Sequence, residues 1–251
     1  KFKMQGMIEK RGSIGIIWID NPPVNAISHA VREGLIKAVE NASKDSEIKG
    51  LVLACRGRTF MAGADITEFS SGVKPPWLGE VIDTMSESSK VIVAAIFGTT
   101  FGGGLEVALG CNYRIADSNT KIGLPEVKLG IIPGAQGTQR LSRVSSVEFA
   151  LKLATLGNPV GAQEALEAGA IDKISNGELI DDAVSYAEEL LKNNAPLKKS
   201  HTLSIDPKKY NDSFFNDYRK TISRKTRGMA APECCIKAIQ ASVNLPFEEG
   251  V

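Results

Sequence analysis

The run Phe101-Gly102-Gly103-Gly104-Leu105-Glu106 constrains this chain more than any other stretch, because it brings bare backbone and a carboxylate to one point. It follows Lys90-Val91-Ile92-Val93-Ala94-Ala95-Ile96-Phe97, a β-branched apolar run that predicts a fully buried strand. It runs into Leu105 to Leu109, which reads as the opening of a helix. Three glycines at a strand-to-helix junction permit close backbone approach and aim helix N-terminal N–H groups at negative charge. Glu106 falls in the first helical turn, at the same end as those donors. A second carboxylate, Glu126, sits in Gly123-Leu124-Pro125-Glu126-Val127 between apolar neighbours. Two acids beside a nest of N–H groups suit proton transfer next to a developing oxyanion.

The first two-thirds of the chain alternates strand-like and helix-like segments. Ile14 to Ile19 predicts a short strand, closed by the turn-forming Asp20-Asn21-Pro22-Pro23. Ala30 to Asn41 has helical periodicity, with Val31, Leu35, Ala38 and Val39 on one face and Ser28 as its N-cap. Gly50 to Cys55 reads as a second buried strand, and Val81 to Ser88 as a helix leading to the Lys90 strand. That order argues for α/β layering. From about Val147 the texture becomes helical: Val147 to Leu153, Ala162 to Ala168 closed by Gly169, Asp181 to Lys192, and Pro232 to Val243. Residues 1–195 are expected to form the core and residues 196–251 a helical C-terminal extension. Within that extension, Lys198 to Arg227 carries nine Lys/Arg against three Asp.

Thirty basic against 29 acidic residues gives no global pull toward nucleic acid or anionic membrane. With 43% hydrophobic residues in 251, the chain can bury a sizeable core, yet no apolar run approaches the ~20 residues that span a bilayer. Cys55, Cys111, Cys234 and Cys235 lack metal-like spacing and read as reduced thiols of an intracellular compartment. No metal site is expected. His29 and His201 have no partner motif and read as surface or structural residues. The first residue is Lys1, so the absence of a targeting segment carries little meaning.

Met61-Ala62-Gly63-Ala64-Asp65-Ile66 is the third informative segment. Its small residues again expose backbone N–H groups, and Asp65 reads as the cap of a helix starting near Ile66. A thioester carbonyl that becomes an enolate needs two donors at about 2.7–3.1 Å from its oxygen. One donor is expected from Ala64 and the other from Gly103. Two carboxyls near one apolar pocket cannot both ionise cheaply, so one pKa rises toward neutrality. Glu126, among Ile122, Leu124, Pro125 and Val127, is expected to be the protonated one.

Ala62-Gly63-Ala64-Asp65, Gly102-Gly103-Gly104-Leu105-Glu106 and Gly123-Leu124-Pro125-Glu126 together resemble the enoyl-CoA hydratase/isomerase (crotonase) family. So do Gly130-Ile131-Ile132-Pro133-Gly134 and Gly137-Thr138-Gln139-Arg140-Leu141, in family order. The segments Asn21-Pro22-Pro23-Val24-Asn25, Ala231-Pro232-Glu233 and Ala241-Ser242-Val243 resemble a narrower group. In those multifunctional β-oxidation enzymes a crotonase domain precedes a 3-hydroxyacyl-CoA dehydrogenase part.

The resemblance implies an α/β fold, a crotonase-type superhelix of ββα turns with a helical C-terminal segment. It implies an acyl-CoA substrate whose thioester oxygen meets the N–H groups of Ala64 and Gly103. It also implies hydration of trans-2-enoyl-CoA, with Glu106 and Glu126 as catalytic acids and 3-enoyl to 2-enoyl isomerisation as a second reaction. No cofactor is implied, coenzyme A being part of the substrate. A homo-oligomer is compatible with it, as is a peroxisomal setting for a eukaryotic chain or a cytoplasmic one for a bacterial chain. The basic run suggests the alternative of a crotonase-fold RNA-binding protein, though a few of its cations could instead face coenzyme A phosphates. Near-neutral total charge and the retained acids weigh against the alternative.

Overall fold

Strands that are apolar at every position must be covered on both faces, and the centre of the main sheet, Ile14–Ile19, Gly50–Cys55 and Val91–Ile96, is built from such strands. The computed structural model describes residues 6–251, with Phe69 and Ser71 described by backbone alone. The first five residues of the expected core lie outside the described residues. A hairpin of β1 (Met7–Arg11) and β2 (Ile14–Ile19) opens the chain, followed by α1 (His29–Lys44) and β3 (Gly50–Cys55). Two short helices, α2 (Glu68–Ser71) and α3 (Leu78–Ser86), lead to β4 (Val91–Ile96). The chain then runs through β5 (Thr99–Phe101), α4 (Gly103–Gly110), β6 (Tyr113–Ala116) and β7 (Lys121–Gly123) into a 3₁₀ turn over Pro125–Leu129. Helices α5 (Gly137–Val144) and α6 (Val147–Leu156) follow, then β8 (Val160–Gly161), α7 (Ala162–Glu167), β9 (Lys173–Ile174) and α8 (Leu179–Lys192). The C-terminal part holds α9 (Asp212–Ile222), α10 (Ala231–Asn244) and α11 (Phe247–Gly250).

The main sheet has the order β1-β2-β3-β4-β6-β9, antiparallel at the first pair and parallel elsewhere. Alternation within each strand divides its side chains between two cores. Ile17, Leu51, Leu53, Ile92 and Ala94 face α1 and α3, while Ile16, Val52, Val93 and Ile115 face Ala183, Ala187 and Leu190 of α8. A second sheet, β5-β7-β8, lies beside the first. The chain passes from β4 to β5 to α4, then from β6 to β7 to the 3₁₀ turn, so each strand pair delivers one strand to each sheet. These are the expected ββα turns.

Several boundaries move. Ser28 caps α1 as expected, its hydroxyl accepting from Val31 N. The predicted helix at Val81 begins one turn earlier, where Glu80 Oε2 accepts from Trp77 N at 2.6 Å. Asp65 does not cap a helix: it accepts from Thr67 N and Thr67 Oγ1, and α2 starts only at Glu68. Both N-terminal glycines of α4 lie inside the helix rather than before it. Every residue of α4 is buried, and a Cβ on Gly104 would lie 1.8 Å from Met61 O. This helix therefore docks backbone to backbone on the segment that carries Ala64, which only glycine permits. Among the described residues, no helix is long and apolar enough to cross a membrane.

The C-terminal part packs on its own chain through α5. Gln139 Nε2 donates to Ala238 O, Ser142 Oγ to Ser242 Oγ and Arg143 Nη2 to Leu245 O. Five of the nine basic side chains of Lys198 to Arg227 are ion-paired: Lys198 with Asp172, Lys199 with Glu87, Lys209 with Glu148, Arg219 with Glu233 and Lys220 with Asp217.

Candidate active site

The docking of α4 on residues 61–64 creates a cavity of about 430 Å³ into which both sequence-predicted acids face. Ala64, Gly103, Glu106 and Glu126 all line it. A Cβ on Gly103 would lie 3.5 Å from Ala64 N, so the two expected donors are neighbours across the α4 junction. Ala64 is tethered by bonds on either side of it: Ile27 N donates to Gly63 O and Asp65 N to Ile27 O. Those bonds leave the Ala64 N–H itself pointing elsewhere. Gly103 is the first residue of α4, whose N–H has no intrahelical acceptor.

Glu106 is 2% exposed, and its carboxylate is held from a distant part of the chain. Its Oε1 accepts from Ala135 N at 2.9 Å and Gly137 N at 2.8 Å. The intervening Gln136 adopts φ +76°, the left-handed turn that lets the flanking amides converge. Gln136 Oε1 in turn accepts from Arg140 Nε, and Arg140 also reaches Ser86, Ser200 and Asp83. Burial pushes the Glu106 carboxyl up to about 7, against the two N–H bonds and the Arg140 charge, which pull it down.

Glu126 sits in the 3₁₀ turn, with Pro125 opening it and Gly130 closing it in the left-handed region. Its Oε1 approaches Gly102, where φ is +52° and a Cβ would lie 2.8 Å from that oxygen. Its Oε2 is buried with no protein partner among the described residues. Burial and the nearby Glu106 charge raise this carboxyl to about 7 as well. The two acids form one coupled pair. Glu106 has two donors fixed on one oxygen and Arg140 behind it, whereas Glu126 has an orphaned oxygen in an apolar wall. The ionised form therefore belongs to Glu106 and the proton to Glu126.

Most of the remaining wall is apolar (Ile27, Ile66, Val73, Trp77, Leu78, Leu129, Ile131 and Ile132), with Arg32, Asp65 and Glu68 the charged residues on it. Burial, with the nearby Glu126 charge adding to it, pushes the Cys235 thiol of α10 up to about 12, so the C-terminal part underlies the site. Among the described residues Arg32 is the one basic side chain lining the cavity, and none of the nine from the 198–227 run does. Among the described residues, no cluster of three or more His, Cys, Asp or Glu is placed to hold a metal ion. His201 bonds Ser86 Oγ and pairs with Glu87, the structural role expected of it. The amides of Ala135 and Gly137, Arg140 and Arg32 escaped the sequence reading. The left-handed turn before Gly137 is invisible in a sequence, and neither arginine carries a local signal for its role, Arg140 being noted only as part of the Gly137–Leu141 motif.

An acid pair of raised pKa beside two converging amides can protonate one atom, deprotonate another and hold negative charge on an oxygen between them. Over residues 9–210 the chain matches the family described as Enoyl-CoA hydratase/isomerase. It is 41% identical over 244 residues to a "Peroxisomal bifunctional enzyme" of Cavia porcellus, covering 95% of this chain and 33% of that one. It is 34% identical over 230 residues to a "Probable enoyl-CoA hydratase" of Bacillus subtilis strain 168, covering 82% of this chain and 89% of that one. The chain thus spans about a third of the length of the bifunctional relatives it matches. Among solved structures, an enoyl-CoA hydratase from Mycobacterium tuberculosis H37Rv superposes with a TM-score of 0.71 at 27% identity, covering 94% of this chain and 88% of that one.

Proposed function

This chain belongs to the enoyl-CoA hydratase/isomerase family, and from that premise and the geometry of the site we propose that it adds water across the double bond of trans-2-enoyl-CoA to give 3-hydroxyacyl-CoA. The observation that carries the reading is the pair Glu106 and Glu126, both raised to about 7 on one apolar cavity, beside the adjacent amides of Ala64 and Gly103. The thioester oxygen accepts from those two amides. A water between the carboxyls gives a proton to the Glu106 carboxylate as its oxygen bonds to C3. The π pair of C2=C3 shifts to form C1=C2 and the carbonyl pair moves onto the thioester oxygen, where the amides hold the enolate charge. Collapse of that enolate takes a proton at C2 from Glu126. Proton transfer between the acids, through solvent, restores the resting pair.

Isomerisation of 3-enoyl-CoA draws support from one observation, the unpartnered Oε2 of Glu126. Isomerisation uses the ionised form of Glu126, whose oxygen without a protein donor takes a proton from C2 and returns it at C4, whereas hydration starts from the protonated form. Neither reaction calls for a metal or a redox cofactor in this scheme, and coenzyme A enters only as part of the substrate. Given the bifunctional relatives, we place this activity in fatty-acid β-oxidation. We assign it to a polypeptide that also carries a 3-hydroxyacyl-CoA dehydrogenase part, peroxisomal in a eukaryote or cytoplasmic in a bacterium. Residues 1–195 act as the catalytic core, and 196–251 as an extension bracing it through α5.

The test is an assay with crotonyl-CoA, following loss of the enoyl thioester absorbance before and after exhaustive chelation. Turnover that survives chelation supports the scheme. Turnover that disappears and returns with metal contradicts it.

A further inference from the structure

Among the described residues Arg32 is the one cation in the wall of the cavity, and four of its five N–H donors are already engaged. It lies on α1, 4% exposed. Its Nε donates to Pro76 O at 2.7 Å, Nη2 to Lys74 O at 2.9 Å, and Nη1 to Glu68 Oε2 at 2.8 Å and to Ile27 O at 3.2 Å. The other oxygen of Glu68 accepts from His29 N at 2.6 Å, and His29 Nε2 lies 2.9 Å from Pro75 O. Three consecutive carbonyls between α2 and α3 are thus held by two side chains from the start of α1. Pro75 and Pro76 have no N–H of their own with which to anchor that segment.

The held carbonyls are flanked by Val73 and Trp77, both of which line the cavity. Trp77 remains 51% exposed and Ile66 68% exposed, an apolar rim with no protein covering it. A guanidinium with four of its five N–H groups committed to main-chain carbonyls and a carboxylate is poorly placed to take a phosphate of coenzyme A, and the surfaces it positions are hydrocarbon. A buried ion pair is seldom the most stabilising occupant of its site, and its best-attested use is to fix geometry. On that footing, and resting on the enoyl-CoA reading above, we propose that Arg32, Glu68 and His29 form a clasp that fixes the Val73–Trp77 wall of the acyl pocket and sets the preference for long over short acyl chains. These are positioning residues: they act through the wall, away from the reacting atoms.

The experiment compares crotonyl-CoA with 2-decenoyl-CoA in Arg32→Lys, Glu68→Gln and His29→Ala. Arg32→Lys keeps the charge but loses the planar fork that reaches several acceptors at once. A second readout is acrylamide quenching of Trp77 without substrate, in a Trp18→Phe background that leaves Trp77 as the single tryptophan. Each clasp variant is expected to raise Trp77 quenching and to lower the ratio of kcat/KM for 2-decenoyl-CoA to that for crotonyl-CoA by about fivefold or more, through KM. Arg32→Lys is expected to give no rescue. Should Arg32→Lys fail to fold, the two more exposed positions decide the matter. An unchanged chain-length ratio, or Trp77 quenching equal to that of the parent, would overturn the clasp. Absence of hydration with either substrate in the parent protein would instead overturn the reaction, with quenching still reading the wall.

Discussion

Glu106 and Glu126 differ in what the fold gives their oxygens, and that difference sets what each substitution should do. Glutamine at 106 keeps an oxygen for the amides of Ala135 and Gly137 but cannot take a proton from water. Glu106→Gln is therefore expected to fold and to lose hydration by at least the ~10²-fold typical of a positioned acid or base. Glu126→Gln is expected to lose hydration to a similar extent and isomerisation more severely than Glu106→Gln does, measured with 3-enoyl-CoA. Equal loss of isomerisation in both would remove the division of roles. Gly103 acts through its backbone. A Cβ there would meet Leu78 Cδ2 at 3.0 Å and Ile27 Cδ1 at 3.2 Å, side-chain ends that can give way, and would intrude toward Ala64 N. Gly103→Ala is thus expected to fold, with turnover reduced by the roughly 2.7–4 kcal/mol that one oxyanion donor is worth. Parent-like kcat in a folded Gly103→Ala protein would contradict the expected displacement of that amide.

At the scale of elements, the close docking of α4 decides whether the site exists. Ala at 104 would place its Cβ against Met61 O, a backbone atom that cannot rotate aside. Gly104→Ala is expected to cost more than ~3 kcal/mol, beyond ordinary overpacking, as read from the midpoint of urea unfolding. A parent-like midpoint would contradict the backbone contact. The strands and glycines around this junction were legible because their signals are local: continuous apolar runs, then three glycines, then an acid. Helix α5 was not. All eight of its residues are buried, yet Thr138, Gln139, Arg140, Ser142 and Arg143 are polar, so no apolar face repeats along it. Its burial is made possible by bonds to α3, to the 3₁₀ turn at Ser200 and to the C-terminal helices, all distant in sequence. The strands β8 and β9, of two residues each, are too short to carry a period. The acids themselves were readable from the family pattern. The amides that hold Glu106 and the clasp at Arg32 depend on main-chain groups at residues of unremarkable type.

For the whole molecule, housing two raised carboxyls has a pH signature. Each acid moves from 4.5 to about 7 on folding, so between those values the folded state binds protons that the unfolded chain has released. Stability therefore falls as pH rises through this window, by roughly 3 kcal/mol per acid at ~1.4 kcal/mol per unit, an upper figure for a coupled pair. Below pH ~4.5 that cost vanishes, and above pH ~7 it is fully present. Glu126→Gln is expected to gain in Tm over the parent at pH ~8.5 and to show little difference at pH ~5. A gain that is the same at both would mean that Glu126 is not strained by its charge. Hydration should follow a bell in pH, since one carboxyl must be ionised and the other protonated. The central claim is that this acid pair performs hydration. Its most direct measurement is crotonyl-CoA turnover by the parent and by Glu106→Gln and Glu126→Gln, each shown by thermal melting to be folded. The account expects turnover in the parent and a loss of ~10²-fold or more in each variant, whereas parent-like turnover in either folded variant would contradict it.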